Sequence, residues 1–224
     1  MAGQQDPPQD RLTRAFFARP VLDVAPELLG CHISHAGVTV RLTEVEAYDG
    51  SNDPGSHAFR GPTARTQVMF GEPGGLYVYF TYGMHWCANL VCGSVGAASA
   101  VLLRAGEVVG GLEVARTRRA GAVDRDLGRG PARLAMTLAL GRDQNGIDIV
   151  ASDSAFVVRA GRLGPSAGSS AASVRTGPRV GVSGPGGDAA AYPWWFWLEG
   201  EATVSTYRPG TVRPAKPAGP SDEP

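Results

Sequence analysis

The chain has 224 residues, long enough to bury a sizeable core as one domain or two small ones without disulfide support. Its 43% hydrophobic and 19% charged residues exclude a disordered or fibrous chain, and 31 Gly with 17 Pro indicate many turns. A net charge of zero argues against nucleic-acid binding, but eight Arg against four acidic residues give the stretch 104–142 a charge of +4. This stretch is either a basic patch or a solvated helical face.

Lysine and cysteine are scarce, which limits the chemistry that we expect. Lys216 is the only lysine and lies in a Pro-rich segment, so Schiff-base catalysis by an internal lysine is not expected. Cys31, Cys87 and Cys92 form no C-x-x-C pair and predict a reducing compartment without disulfides. The start of the chain lacks the features of a secretion signal, and the uncharged segment 74–103 is typical of strands rather than of a membrane span.

The periodicity and turn residues predict one folded unit over residues 11–207, with disordered tails over 1–10 and 208–224. In chain order, the pattern predicts helices over 11–19 and 23–29, strands over 38–48, 76–80, 86–92 and 100–104, helices over 111–119 and 131–140, an irregular loop over 161–190, and a strand over 194–198. Asp23 is the expected N-cap of the second helix, and Gly30 and Gly141 are the expected helix ends.

The segments 76–80 and 86–92 flank a short turn and predict a β-hairpin with Tyr82 near its tip. The fold class expected is α+β. We expect a single domain with a curved, mostly antiparallel sheet, short helices at the edges of the sheet, and a protruding β-hairpin.

Two carboxylates lie in the strand predicted over 38–48. Strict alternation places Glu44, Glu46 and Tyr48 on one face, continuing the row of Val40 and Leu42. Such carboxylates are either the solvated end of an edge strand or catalytic groups. A carboxylate can stabilise an oxocarbenium-like sugar or activate water. Two strand rises separate the pair by about 6.6 Å, close to the spacing of inverting glycoside hydrolases.

Aromatic residues cluster around the hairpin. Tyr77 and Tyr79 share a strand face, and cross-strand packing explains them adequately. Tyr82 has little core to enter at a hairpin tip, and an exposed aromatic side chain there can act as a wedge in the DNA minor groove. His57 lies in a polar Gly/Pro loop, where it is a ligand, an acid or simply exposed.

Arg104 ends an uncharged strand, so it either caps the sheet edge or reaches a carboxylate such as Glu46, which it would keep ionised. Asn89 lies in an apolar strand and must use its amide either for structural hydrogen bonds or to read a base edge. His32 and His35 cross the faces of a strand and predict no metal site.

These segments together resemble the 3-methyladenine (alkyladenine) DNA glycosylase family of the non-helix-hairpin-helix type. The resemblance follows chain order over most of the sequence. It is most specific in the combination of EVEAY at 44–48, YVYFTYGM at 77–84 and VLLRA at 101–105. It implies a monofunctional enzyme of base excision repair, without cofactor or metal. Such an enzyme acts as a monomer on damaged purines in double-stranded DNA, in the cytoplasm if the source is bacterial.

The resemblance also implies roles for single residues. The target nucleotide is flipped out of the duplex, and Glu46 activates water for attack on C1′, with Arg104 and the backbone carbonyl of Val180 holding that water. The resemblance implies that eight further residues contact the flipped base, fill the gap that it leaves, or contact the DNA backbone. They are Tyr48, His57, Tyr77, Tyr79, Tyr82, Asn89, Arg60 and Arg65.

Two positions depart from the family pattern. Thr66 replaces an expected Asn after Arg65, and Trp195 replaces an Arg that many members carry before the last strand; both predict lost contacts to the DNA backbone.

Cationic 3-methyladenine and 7-methylguanine suit an aromatic pocket, whereas hypoxanthine and 1,N6-ethenoadenine need protonation, for which no dedicated acid is evident. A carbohydrate or nucleoside hydrolase using Glu44 and Glu46, and a non-catalytic nucleic-acid-binding domain, remain alternatives.

Overall fold

The computed structural model describes residues 11–161 and 173–211. The predicted tail over 1–10, most of the other tail with Lys216, and part of the predicted 161–190 loop lie outside the described residues. The α-helices are α1 (Arg14–Phe17), α2 (Val21–Glu27), α3 (Leu112–Arg118) and α4 (Pro131–Thr137). The strands are β1 (His32–His35), β2 (Val38–Asp49), β3 (Leu76–Thr81), β4 (His85–Cys92), β5 (Ser99–Gly110), β6 (Val157–Arg159), β7 (Val174–Gly177) and β8 (Trp195–Leu198).

The strands form one sheet with the order β3-β4-β5-β2-β1-β6, in which every pair is antiparallel. The long strand β2 pairs with β5 along one edge. Along its other edge it pairs first with β1 and then with β8, which in turn pairs with β7. The single α+β domain with a mostly antiparallel sheet is therefore confirmed. No helix in the described part of the chain is long and apolar enough to cross a membrane.

Side-chain alternation gives the sheet two different faces. One face buries the main hydrophobic core, to which β3, β4 and β5 contribute Leu76, Val78, Ala88, Leu90, Val101 and Leu103. Helix α2 packs against β2, and α4 packs against β4 and β5. The intervening residues Tyr77, Tyr79, Asn89 and Arg104 must then face the other way. The opposite face of the sheet is the one that carries polar and aromatic side chains.

The predicted common face of Val40, Leu42, Glu44 and Glu46 is wrong, because β2 contains a β-bulge. The register with β5 shifts between Leu42 and Glu44 and again between Glu44 and Val45. Val40 and Leu42 lie in the core, and on the far side of the bulge it is Val45 that does so. A bulge inserts a residue and re-aims the side chains that follow it. Glu44 and Glu46 consequently lie on the face opposite the core.

Several predicted boundaries also need correction. The helix predicted over 11–19 is limited to α1. Pro20 precedes α2, so Asp23 lies in the first turn rather than at the N-cap. Helix α4 ends at Thr137 and not at Gly141, and the residue in the left-handed region after it is Ala139, with a φ of +52°. Strand β7 lies inside the predicted 161–190 loop, since pairing with β8 supplies partners that local sequence does not reveal.

The predicted hairpin is confirmed by β3 and β4. Its turn is closed by a hydrogen bond from the Met84 N–H to the Thr81 carbonyl. Tyr82 and Gly83 have φ values of +51° and +68°, as in a type I′ turn, which suits the twist of the strands. Tyr82 is 80% exposed, so the hairpin presents an aromatic side chain to solvent at its tip.

Candidate active site

A pocket of about 490 Å³ opens on the polar face of the sheet. Its wall combines side chains from β2 to β5 with two loops, one after β2 and one after β7. The residues that line it include Tyr48, His57, Met69, Tyr77, Tyr79, Tyr82, Cys87, Asn89, Leu102, Arg104, Val180 and Gly181. The structure thus brings together all but three of the predicted site residues; Glu46 lies behind the wall, and Arg60 and Arg65 are exposed on the loop after β2.

Glu46 is fully buried and is bonded to three residues of the pocket wall. The Tyr48 hydroxyl donates to Oε2 at 2.9 Å, and the Val180 backbone N–H donates to Oε1 at 2.7 Å. Nη1 of Arg104 lies 3.2 Å from Oε1. The resemblance implied a role for the Val180 carbonyl, and the structure adds that its N–H orients the carboxylate. One buried carboxylate is therefore fixed by three hydrogen-bonding or ionic contacts directly behind the pocket wall.

Burial is the largest influence on this carboxylate and raises the pKa of Glu46 above its ordinary value. The Arg104 charge, the Val180 N–H and the Tyr48 hydroxyl act in the opposite direction, and the Glu44 charge raises the pKa further. Arg104 favours the ionised form as predicted, but desolvation outweighs it. A raised pKa makes Glu46 a better proton acceptor than an exposed glutamate.

Glu44 is also fully buried, but its oxygens are occupied by protein donors. Oε1 accepts from Arg104 Nε at 2.6 Å, Trp195 Nε1 at 2.9 Å and Ser205 Oγ at 2.7 Å. Oε2 accepts from the Ser205 N–H at 2.6 Å. Glu44 is not part of the pocket wall. Neither carboxylate is part of the pocket wall, and Glu44 is enclosed by donors that include Trp195 and Ser205, so the paired-carboxylate mechanism considered from the sequence gains no support.

Aromatic rings form one wall of the pocket. The rings of Tyr77 and Tyr79 stack with centroids 5.4 Å apart, and His57 meets Tyr79 edge-on at 4.7 Å. The Arg65 guanidinium lies 5.1 Å from the centroid of the Tyr79 ring, at the pocket rim. Desolvation, aided by the Arg65 charge, lowers the pKa of His57 to about 4. His57 is therefore a neutral ring at pH 7.

Asn89 lies at the pocket edge with a fixed amide. It is buried, and its Nδ2 donates to the Tyr77 carbonyl at 3.2 Å. The NH₂ group makes the structural hydrogen bond, and the side chain borders the cavity. A role for Asn89 in reading a base edge stays a prediction.

Sequence reasoning missed the fully buried Arg179, which supports this site. Its Nη2 donates to Asp53 Oδ1 at 2.6 Å and to the Gly186 carbonyl at 2.7 Å, and its Nη1 donates to the Ala47 carbonyl at 3.0 Å. The guanidinium lies 4.5 Å from the centroid of the Tyr48 ring. Arg179 therefore joins the loop carrying Val180 to the strand carrying Glu46. The string PRVGV at 178–182 was its only sequence signal.

The two departures from the family pattern lie inside the protein. Thr66 is buried, and its Oγ1 accepts the Thr63 N–H at 2.9 Å, which stabilises a local turn. Trp195 is buried in β8 and bonds Glu44. Neither side chain reaches the surface, so neither supplies a contact to the DNA backbone, and the expected loss of affinity at these positions stays a prediction.

The described residues contain no group of three or more His, Cys, Asp or Glu side chains that could hold a metal ion. His35 instead pairs its Nδ1 with the Leu138 carbonyl at 2.6 Å. Cys31, Cys87 and Cys92 are buried and free.

Known proteins resemble this chain over most of its length. The sequence model of the family described as Methylpurine-DNA glycosylase matches residues 15–202. A protein of Streptomyces avermitilis is 54% identical over 213 residues, covering 92% of this chain and 96% of that protein. Proteins of Frankia casuarinae and Leifsonia xyli are each 52% identical, covering 87% of this chain and 92% of theirs. All three carry the name "Putative 3-methyladenine DNA glycosylase".

Proposed function

Because the chain belongs to the methylpurine-DNA glycosylase family, whose members act on alkylated bases in DNA, we propose that it hydrolyses the N-glycosidic bond of alkylated purines in double-stranded DNA. The observation that carries this proposal is Glu46, a buried carboxylate fixed by Arg104, Tyr48 and the Val180 N–H directly behind an aromatic pocket. A base inside a duplex cannot reach such a pocket, so the nucleotide must be flipped out.

The pocket wall favours cationic bases. A purine alkylated at N3 or N7 carries positive charge, which aromatic faces attract. Arg179 covers one face of Tyr48 and Arg65 one face of Tyr79, so the base is attracted to the faces that these guanidinium groups leave open. His57 adds no competing charge at pH 7, since its pKa is about 4. For the same reason His57 does not supply a proton to a neutral base at pH 7. We therefore expect 3-methyladenine and 7-methylguanine to be released faster than hypoxanthine or 1,N6-ethenoadenine.

Hydrolysis follows from the position of Glu46. A water molecule attacks C1′ with an oxygen lone pair while the C1′–N bond breaks and its electrons leave with the base. Glu46 takes the proton of the attacking water through Oε2, whose hydrogen-bond partner is the Tyr48 hydroxyl. We assign the Val180 carbonyl and Arg104 to hold this water. The carboxylate also stabilises the positive sugar of the transition state.

Tyr82 fits the role of wedge. Its side chain is 80% exposed and also borders the pocket mouth, so insertion into the base stack fills the gap left by the flipped nucleotide. The exposed Arg60 and Arg65 on the loop after β2 are suited to phosphate contacts.

Cleavage should stop at the abasic site. Strand scission by a bifunctional glycosylase needs an amine that forms an imine with the sugar, and the only lysine is Lys216, far along the chain from every pocket residue. We infer a monofunctional enzyme of base excision repair that acts as a monomer, in the cytoplasm if the source is bacterial.

The test is single-turnover base release from duplexes with one 3-methyladenine, 7-methylguanine, hypoxanthine or 1,N6-ethenoadenine, in the presence of a chelator. The wild type should release the cationic bases first and leave an intact strand until alkali is added. Glu46→Gln should bind the same duplexes with unchanged affinity and release no base above background.

Release by Glu46→Gln at the wild-type rate would refute the mechanism. Binding by the wild type without any release would instead favour a non-catalytic DNA-binding domain.

A further inference from the structure

The segment 201–208, here called the C-terminal strap, crosses the bulged part of β2. Alternate strap residues pair with β2 side chains: Glu201 with Arg41 at 2.9 Å, and Thr203 Oγ1 with Thr43 Oγ1 at 2.8 Å. Ser205 then bonds Glu44 through both its N–H and its hydroxyl. The family match ends at residue 202, so Thr203 and Ser205 lie outside it.

The strap is anchored on both sides of Ser205. The Val204 carbonyl accepts from Arg129 Nε at 2.9 Å, and the Arg208 carbonyl accepts the Gly181 N–H at 2.8 Å. Gly181 follows Val180, whose N–H bonds Glu46. The strap therefore contacts two parts of the protein beside the candidate active site: Glu44, through Ser205, and the loop that carries Val180, through Arg208.

Arg104 is shared between two buried carboxylates. Its Nε donates to Glu44 at 2.6 Å, whereas only Nη1 approaches Glu46, at the longer distance of 3.2 Å. Nη2 reaches Ser205 Oγ at 3.4 Å. A guanidinium offers a planar fork that can bind one carboxylate through two nitrogens. Here Glu44 and Ser205 occupy part of that fork and prevent such a pairing with Glu46.

We infer that Glu44 and Ser205 are positioning residues for the reaction: they hold Arg104 so that it orients Glu46 through one nitrogen without neutralising it. This inference rests on the proposed function. It extends the site beyond the pocket wall to the C-terminal strap, and it gives Glu44 a part in the reaction without contact to substrate.

The charges around Glu46 agree with this assignment. Two carboxylates against one guanidinium leave an excess negative charge, and the Glu44 charge raises the pKa of Glu46. Six charged or titratable groups, from five elements, interact electrostatically with Glu46. They are Arg104 of β5, Glu44 and Tyr48 of β2, Tyr79 of β3, Cys87 of β4 and Arg179 of the loop after β7. Without the Glu44 charge, Arg104 pairs more fully with Glu46, which becomes a weaker base.

The test compares Ser205→Ala with Thr203→Ala in single-turnover release of 3-methyladenine. Both variants remove one hydroxyl that links the strap to β2, but only Ser205 contacts Glu44 and Arg104. Ser205→Ala should lower the maximal rate roughly tenfold, as expected for one hydrogen bond to a charged group, with unchanged Kd for the damaged duplex. Ser205→Thr should restore the rate, and Thr203→Ala should keep it.

Glu44→Gln supplies an independent readout in the pH profile. Its maximal rate should fall, and the acidic limb of its rate profile should move to lower pH, because the charge that raises the pKa of Glu46 is gone. If Glu44→Gln fails to fold, the comparison of Ser205→Ala, Ser205→Thr and Thr203→Ala tests the inference by itself.

Any one of three results would overturn the inference. Ser205→Ala could release the base at the wild-type rate, Thr203→Ala could lose as much rate as Ser205→Ala, or the acidic limb of the pH–rate profile of folded Glu44→Gln could coincide with that of the wild type. Failure of the wild type to release any base would instead overturn the proposed function itself, and the inference with it.

Discussion

The buried pair of Arg179 and Asp53 makes a strong prediction, because both side chains are completely inaccessible to solvent. Asp53→Asn keeps the shape of the side chain but removes its charge. It also points an NH₂ donor at a guanidinium that has only donors. The buried positive charge of Arg179 then loses its counter-charge and one of its two hydrogen bonds to residue 53.

Breaking a buried ion pair by removing one partner costs about 3–5 kcal/mol, a large part of the 5–15 kcal/mol that is typical of total stability. For a domain of this size, 1 kcal/mol shifts Tm by about 2–4 °C, so we expect Tm to fall by about 6–20 °C. The folded fraction should also release bases more slowly, because Arg179 precedes Val180, the N–H donor to Glu46.

Urea unfolding followed by circular dichroism measures the loss in the free energy of unfolding. Asp124→Asn is the matched control: Asp124 accepts two hydrogen bonds from Arg116, at 2.9 and 2.8 Å, but the two side chains are 54% and 44% exposed. The control should leave the urea midpoint unchanged. A loss below about 1 kcal/mol in Asp53→Asn would refute the reasoning from burial.

Two further predictions concern the reaction itself. Tyr82→Ala removes a side chain that is 80% exposed, so Tm should stay constant. The affinity for a damaged duplex, measured by fluorescence polarisation, should fall about tenfold, and an unchanged affinity would exclude a wedge. The wild-type rate should fall as the pH decreases, and the midpoint of this fall should lie above the ordinary glutamate pKa of about 4.3. The reason is that burial raises the pKa of Glu46, so that its carboxylate takes up a proton at a higher pH. A midpoint at or below that value in single-turnover rates would contradict the assignment of Glu46 as base.

The hairpin shows what local sequence can determine. Alternating aromatic and aliphatic residues predict β3 and β4, and the turn between them follows from a short Gly-containing segment. These features depend on residues close in sequence, so Tyr77, Tyr79 and Tyr82 could be assigned to their faces and to the tip before the structure was known. The strings at 44–48, 77–84 and 101–105 likewise carry the family resemblance, which the comparisons confirm.

Glu44 shows where local reasoning ends. Alternation along a strand holds only while the register is unbroken, and the bulge in β2 reversed the predicted face. The partners of Glu44 come from β5, β8 and the C-terminal strap, which are 60 to 161 positions away in the chain. Its separation from the pocket was therefore not predictable from spacing.

The sequence by itself determined the positions of strands β2 to β5 and β8, the hairpin and the chemical types that a glycosylase site needs, because these depend on neighbouring residues and on strings of fixed order. Only the tertiary structure decided that Glu46 is bonded to Tyr48 and Val180 of the pocket wall, whereas Glu44 is bonded to Trp195 and Ser205. It also revealed the pair of Arg179 with Asp53, 126 positions apart. A buried charge persists only where distant segments supply its partners, and those partners become known when the chain has folded.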